Sequence, residues 1–494
     1  LGPATGGGES LRARLSAHVH DRLGGSAGGI AAAFATGDRG GIAPEDEEAM
    51  RASGLTHLLS ISGLHITAVV AAAMFVTLKI LALSPWLALR APLVLVSAGM
   101  GALAGIGYTL LTGAEVPTIR SCIAAVLVLI GLALGREAMT LRLVATGAVA
   151  VLLVWPESLV GASFQLSFAA ITAIVALHEH PRIRAATMRR DEPLAARLVR
   201  AIFALLLTGI VVEVTLAPIA LYHFHKSGLY GALANIIAIP LTTFIVMPLE
   251  AAALLLDGVG LGAPFWWATG QSLDLLLWIA RNVASLPGAV ATLPSIPAPA
   301  FAAMLGGGLW ILLWRSRPRW FGLVPFTVGA AVAAAVPAPD LLITGDGRHL
   351  AIRSDNGQLA LLRSRTGDYM RDLLAGRSGE LDPPIELDFA SGARCGRDLC
   401  LVTLKTGGRS WRIGATRSPY RLSLPAFAET CSAVDIIVSD RRLPRSCVPR
   451  WLKLDKELLA KTGGLAIGLA SPHVESVFAA RDDHPWRRGR QSAQ

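Results

Sequence analysis

The chain has 494 residues, of which 53% are hydrophobic and only 16% charged, against about 25% charged in a typical soluble protein. With a mean hydropathy of +0.53, this composition excludes a soluble globular chain and describes an integral membrane protein. The charges gather at one end, with 24 Lys/Arg and 18 Asp/Glu in the 155 residues from Asp340 to Gln494, so a membrane block precedes a soluble-like tail.

The net charge of +10 suits an anionic partner such as nucleic acid or lipid headgroups, and it equally suits positively charged loops on the inner side of a membrane. Residues 1–56 form an N-terminal segment expected to lie outside the membrane. Its opening at Leu1, without the charged-then-apolar layout of a signal peptide, suggests a remnant of a longer parent.

Ten apolar runs of about spanning length follow within 57–338: 57–82, 91–112, 117–135, 141–155, 159–178, 199–222, 229–256, 265–285, 299–314 and 320–338. The runs at 141–155 and 299–314 are short, and 265–285 is the weakest. Arginines cluster between runs: Arg136 and Arg142; then Arg182, Arg184, Arg189, Arg190, Arg197 and Arg200; then Arg315, Arg317 and Arg319. Counting spans puts all three loops on one side, the cytoplasmic side by the positive-inside rule. The N-terminal segment and the tail at 339–494 then face outward, the tail into the periplasm or extracellular space.

The tail alternates strand and helix signals. LLITGDGRHLAIRSDNGQLALLRS carries two turns between β-rich runs, GDYMRDLLAG and LDKELLAKTG have helical patterns, and VDIIVSD and GLAIGLA have the pattern of buried strands. A compact α+β domain is expected. Cys122 falls in a span, whereas Cys395, Cys400, Cys431 and Cys447 all fall in the tail. On an oxidising side these four could pair as two disulfides; free thiols or a metal site are the other readings, although C-x4-C without a matched second pair is a poor zinc signature.

The most unusual stretch is GLTHLLSISGLH, from Gly54 to His65. It sets His57, Ser60, Ser62 and His65 among aliphatic residues, where polar groups are costly unless they line a cavity or bond to one another. At the helical period they cover too broad an arc for a single stripe. Either the helix breaks near Ser62 and Gly63, or protein and water surround it. Serines bonded back to helix carbonyls and interfacial histidines would account for the same residues without any function.

The segment GDRGGIAPEDEEAMRASGLTHLLSISGLHI resembles the signature of the ComEC family, competence proteins that carry single-stranded DNA across the bacterial cytoplasmic membrane. Similar segments follow in the family's order: YTLLTGAEVPTIRSCIAAVLVLIGLALGR, WPESLVGASFQLSFAAI and APIALYHFHKSGLYGALANIIAIPLTTFIVMPL. The resemblance covers residues 34–338. It implies a polytopic α-helical channel domain, a DNA-translocation core containing His57, Ser60, Ser62, Gly63 and His65, and no cofactor. It also implies competence pilus or DNA-receptor partners outside, and a cytoplasmic motor or single-strand-binding protein inside.

Laid on matching positions, Arg120 in VPTIR is the family arginine and a candidate phosphate contact, with snorkelling to headgroups as its rival. Gln165 and Ser167 offer neutral donors inside a span, or a helix–helix hydrogen bond. Asn235 and Pro240 in ANIIAIP suggest a discontinuous helix, or one that is merely kinked. His223 and His225 are read as interfacial histidines, with no third metal ligand in view, and Glu213 as a proton or helix-packing site. A strand carrying one charge per nucleotide needs a wet path with scattered donors and few fixed anions.

Two departures from the family pattern stand out. The upstream oligonucleotide-binding-type domain of many relatives is not in this sequence, and the tail lacks the H-x-H-x-D-H motif of their C-terminal metallo-β-lactamase-like domain. Its histidines, His349, His473 and His484, are far apart. The tail is therefore either a degenerate version of that fold, with AVDIIVSDRRLPRSC as the altered motif, or unrelated to it. No metal site and no nuclease activity are expected.

The function implied is translocation of single-stranded transforming DNA. The alternatives are a permease for another anionic solute and an intramembrane hydrolase using Ser60 or Ser62 with His57 or His65, for which no orienting acid or oxyanion device is evident. There is no P-loop, so any driving energy comes from elsewhere.

Overall fold

The computed structural model describes residues 10–135, 140–188, 193–363, 365–418, 420 and 423–478. Arg136, Arg189, Arg190 and His484 lie outside the described residues. The chain divides into two compact units. One is built from the chain up to His223 with Ser227–Ala291 and Phe301–Ala330, the other from Phe224–Lys226, Thr292–Ala300 and the chain from Ala331 on.

The first unit is helical: α1 Leu11–Arg22, α2 Gly25–Thr36, α3 Pro44–Ala52, α4 Thr56–Leu59, α5 Gly63–Ala82, α6 Pro85–Arg90, α7 Leu93–Leu111, α8 Val116–Ala133, α9 Leu141–Val154, α10 Ala162–Glu179, α11 Pro181–Thr187, α12 Leu194–Phe224, α13 Gly231–Leu241, α14 Met247–Asp257 and α15 Ala263–Ala284. Helices α16 Ala298–Leu313 and α17 Leu323–Ala335 follow, and two short strands, β1 Lys226–Gly228 and β2 Val290–Thr292, also occur.

Six helices among the described residues are long and apolar enough to cross a membrane: α5, α7, α8, α10, α12 and the continuous helix Gly231–Asp257. Their outward side chains, such as Phe75, Leu103, Leu110 and Phe244, are large, apolar and exposed, which suits lipid contact. The other four expected runs form α9, α15, α16 and α17. At 1.5 Å per residue, helices of the length of α9, α16 and α17 fall short of a hydrocarbon core of about 30 Å.

Residues 10–56 pack into the helical unit and share its core. Ala27 to Thr36 are buried throughout, and Ile30 and Phe34 of α2, Met50 of α3 and Leu58 of α4 share one core with Ala238 of α13 and Leu273 and Leu276 of α15. The reason is the size of the α2 residues. A Cβ at Gly29 would lie 2.5 Å from the carbonyl carbon of Gly41, so only glycine permits that approach. Helix α15, expected as a span, packs its buried Trp266, Leu273 and Ala280 into this core. Its Arg281 Nε donates to Asp46 Oδ1 of α3 at 2.7 Å.

The tail is a four-layer sandwich. Strands β3 Leu341–Ile343, β4 Leu350–Arg353, β5 Leu359–Leu361, β6 Ile385–Glu386, β7 Ala393–Cys395, β8 Leu399–Thr406, β9 Arg409–Thr416, β10 Ile436–Val438, β11 Leu452–Leu454, β12 Leu465–Gly468 and β13 His473–Ser476 form two sheets. Their orders are β13-β12-β3-β4-β5-β6 and β11-β10-β9-β8-β7.

Inward residues of the two sheets, among them Leu341, Ile352, Val402, Trp411 and Ile436, pack in a shared core. The opposite face of the first sheet, Leu342 and Leu361, carries Leu374 of α18 Asp368–Ser378. The opposite face of the second, Ile437, carries Phe427 of α19 Leu424–Ala433. Both sheets are covered on two sides, which is why Leu341–Ile343, Leu359–Leu361 and Ile436–Val438 are apolar without alternation. Leu459 of α20 Lys456–Thr462 joins the central core.

Candidate functional site

The segment that the sequence singles out breaks where Ser62 and Gly63 stand. Helix α4 ends at Leu59, Ser60 is extended, and α5 starts at Gly63 with Ser62 as its N-cap. His65, at the third position of α5, turns its ring back on this cap. Its Nδ1 accepts from the Ser62 backbone N–H at 3.4 Å and lies 3.3 Å from Ser62 Oγ, the side-chain half of a capping box. An accepting Nδ1 leaves the ring proton on Nε2, and Nε2 is buried with no hydrogen-bond partner.

The His65 ring is fully buried and lies 4.8 Å from that of Phe34. Tyr108 of α7 donates its hydroxyl to the Phe34 carbonyl at 2.5 Å, which joins α2, α5 and α7 around this histidine. His57 lies apart, exposed on α4, with Nδ1 3.2 Å from the Gly54 carbonyl.

Arg120 is buried, but it is neither snorkelling nor open to a ligand through Nη2. Nη2 donates to the Ser163 carbonyl at 3.0 Å and also to Ser163 Oγ. It thereby fastens α8 to the first turn of α10. Gln165 bridges in the same way: its Nε2 donates to the Leu159 carbonyl at 3.0 Å, and its Oε1 accepts from His223 Nε2 of α12 at 2.9 Å. Ser167 is exposed on α10. Glu213, mid-way along α12, accepts the Ala232 N–H at 2.8 Å through Oε2 and so caps the start of α13, while its Oε1 is buried without a hydrogen-bond partner.

Pro240 does not interrupt its helix. The chain continues from α13 through a π turn at Thr242–Val246 into α14. Proline supplies no N–H and its ring crowds the preceding turn, and widening the next turn absorbs both effects.

This helix carries a row of polar atoms that are buried and have no partner: Asn235 Oδ1, Thr242 Oγ1, Thr243 Oγ1 and Glu250 Oε1. Asn235, the adjacent pair Thr242 and Thr243, and Glu250 stand seven or eight residues apart, about two helical turns. The π turn packs against α5, the helix of His65. Glu250, almost fully buried at 4% exposure, was not singled out from the sequence. Its signal was available as a lone acid in the apolar run MPLEAAALLL.

In the tail, Cys395 pairs with Cys400 and Cys431 with Cys447, while Cys122 is free and buried. Among the described residues no group of three or more His, Cys, Asp or Glu side chains is placed to hold a metal ion.

A family model described as "Competence protein" matches residues 34–318. Curated relatives include the uncharacterized protein YcaI of Escherichia coli (strain K12), 30% identical over 51% of this chain and 32% of that protein. Competence protein ComA of Neisseria gonorrhoeae is 29% identical over 67% of this chain and 45% of its own length. ComE operon protein 3 of Bacillus subtilis (strain 168) is 25% identical over 56% and 32%. No solved structure matches. The chain belongs to the competence-protein family and, with six apolar helices of spanning length, is a membrane protein of that family. It spans about a third to just under half of the length of these relatives.

Proposed function

We propose that this chain forms the path by which single-stranded transforming DNA crosses the bacterial cytoplasmic membrane in natural competence. In this reading about ten helices cross the membrane, and the tail faces the periplasm as a non-catalytic, degenerate metallo-β-lactamase-like domain. The four-layer sandwich and the missing H-x-H-x-D-H motif support that view of the tail. Partners would be a DNA-delivering receptor outside and a motor or single-strand-binding protein inside.

One observation carries the reading: the row of partnerless polar atoms from Asn235 to Glu250, on an otherwise apolar helix whose π turn packs against α5, the helix of His65. Buried polar groups without partners are costly and rare, and a wet path for a charged polymer is a setting in which they are satisfied.

The test is transformation with labelled linear DNA in cells carrying Glu250→Gln or His65→Ala, following label in periplasm and cytoplasm separately, with membrane levels of the protein checked by immunoblot. Label held in the periplasm at normal protein level is the expected result. Normal cytoplasmic entry in a deletion strain would reject the reading and favour a permease for another anionic solute.

A further inference from the structure

A polar cavity of about 530 Å³ opens on the tail, lined chiefly by Arg348, His349, Arg363, Arg365, Arg417 and Asp440. Arg363, Arg417 and Asp440 stand just past the carboxyl ends of β5, β9 and β10, and Arg348 and His349 end the turn between β3 and β4. Strand ends of this kind leave side chains free to converge on a ligand.

Two of the arginines are committed to structure. Arg363 donates to Asp440 Oδ2 at 2.9 Å, to the Arg348 carbonyl at 3.0 Å and to the Arg417 carbonyl at 3.3 Å. Arg417 grips both carboxylate oxygens of Asp388. The nearby Asp346 is used by its own turn, its Oδ1 accepting from Thr344 Oγ1 at 2.5 Å and from the Arg348 N–H at 3.0 Å. Arg348 and Arg365, by contrast, form no ion pair among the described residues, and His349 Nδ1 is buried without a hydrogen-bond partner. Four arginines and a histidine thus face Asp440, the one carboxylate in this lining.

We propose that this pocket binds the phosphate groups of a nucleic-acid backbone, with Arg348 and Arg365 as the anion donors and Arg363 and Arg417 as the fixed floor that positions them. Guanidinium forks match phosphate oxygens. The lining holds no Phe, Tyr or Trp on which a base could stack and no large apolar residue to receive an acyl chain. Sequence-independent contact with the backbone is therefore the recognition it offers. The ligand named rests on the DNA reading; the geometry of the pocket does not.

The experiment uses the full chain in nanodiscs and fluorescein-labelled oligo(dT), with anisotropy read across a salt series and inorganic phosphate as competitor. For single strands each phosphate contact adds about 0.7 to the slope of log K against log salt. Arg348→Ala with Arg365→Ala should lower that slope by about 1.4, Arg348→Lys with Arg365→Lys should retain most of it, and the control pair Arg394→Ala with Arg445→Ala should leave it unchanged. Thermal melts of every variant test whether the tail is intact.

An unchanged slope in the pocket variant, or an equal fall in the control, overturns the proposal. So does loss of binding to phosphatidylglycerol vesicles with oligo(dT) binding intact, which would assign the pocket to lipid. Failure of DNA entry in cells bears on the membrane path and leaves this slope untouched, so the two readings fail separately.

Discussion

Glu213 Oε2 accepts the backbone N–H of Ala232 at 2.8 Å, so a carboxyl group half-way along α12 serves as the N-terminal cap of α13. The first N–H groups of a helix have no partner of their own, and they carry the positive end of its dipole. Glu213→Ala is expected to lower stability by about 1 kcal/mol, the ordinary cost of a lost cap. Glu213→Gln, which keeps a carbonyl acceptor, should lose less, and thermal melts in detergent compare the two.

Close approach of two backbones makes the same region sensitive at Gly54. Its φ is +76°, and a Cβ there would lie 2.8 Å from the Gly231 Cα. Gly260 has nearly the same φ, +77°, with open space around it. Gly54→Ala should therefore sharply reduce the folded yield, while Gly260→Ala costs only its backbone strain. Size-exclusion profiles of the two variants check this; equal behaviour would mean that the Gly54 contact can relax.

Acid should loosen the tail through Asp388. The Arg417 guanidinium hydrogen-bonded to it holds its carboxyl below the ordinary carboxylate range. That ordinary value is about 3.9, and the folded one lies lower. The stabilisation is complete above the ordinary value and is lost as pH falls through the folded value. Hydrogen exchange of peptides containing β9 should show protection falling in that acid window. In Asp388→Asn the acid dependence should flatten.

Reduction should weaken the tail unevenly. Cys431 and Cys447 close a loop of sequence separation 16, from the buried Cys431 of α19 to the segment after β10, whereas Cys395 and Cys400 are only 5 apart in one hairpin. Loop-closure entropy favours the longer link, at roughly 3 kcal/mol for a loop of that size. Replacing Cys431 and Cys447 by serine should lower the tail's unfolding midpoint by more than the same change at Cys395 and Cys400. An equal effect would mean that loop length does not decide the contribution.

Much of this molecule was legible in the order of its residues. A break at Ser62 and Gly63 was one of two readings once four polar residues could not share one helical face, the other being a helix surrounded by protein and water. The hairpins around Asp346 and Asn356 were visible because their Gly-containing turns separate β-rich runs. The partners of Arg120 and Glu213 were not legible. The sequence offers Arg120 as a phosphate contact or a snorkelling side chain and Glu213 as a proton or packing site; each is held by a partner from another helix, Ser163 or Ala232, while Arg120 Nε and Glu213 Oε1 stay buried without one. Nor could composition show that α2 is buried, since a run of Gly and Ala is equally suited to a solvated linker.

By itself the sequence determined the membrane block, the family, the candidate site of the helix break and the alternation of the tail, because periodicity, turn chemistry and hydropathy act over a few neighbouring residues. Only the tertiary structure decided which polar groups find partners. Satisfaction of a buried donor or acceptor depends on atoms brought within about 3 Å from distant parts of the chain, and that is how Arg120 Nη2 becomes a fastener while Asn235 Oδ1, Thr242 Oγ1 and Glu250 Oε1, on one continuous helix, are left unpaired.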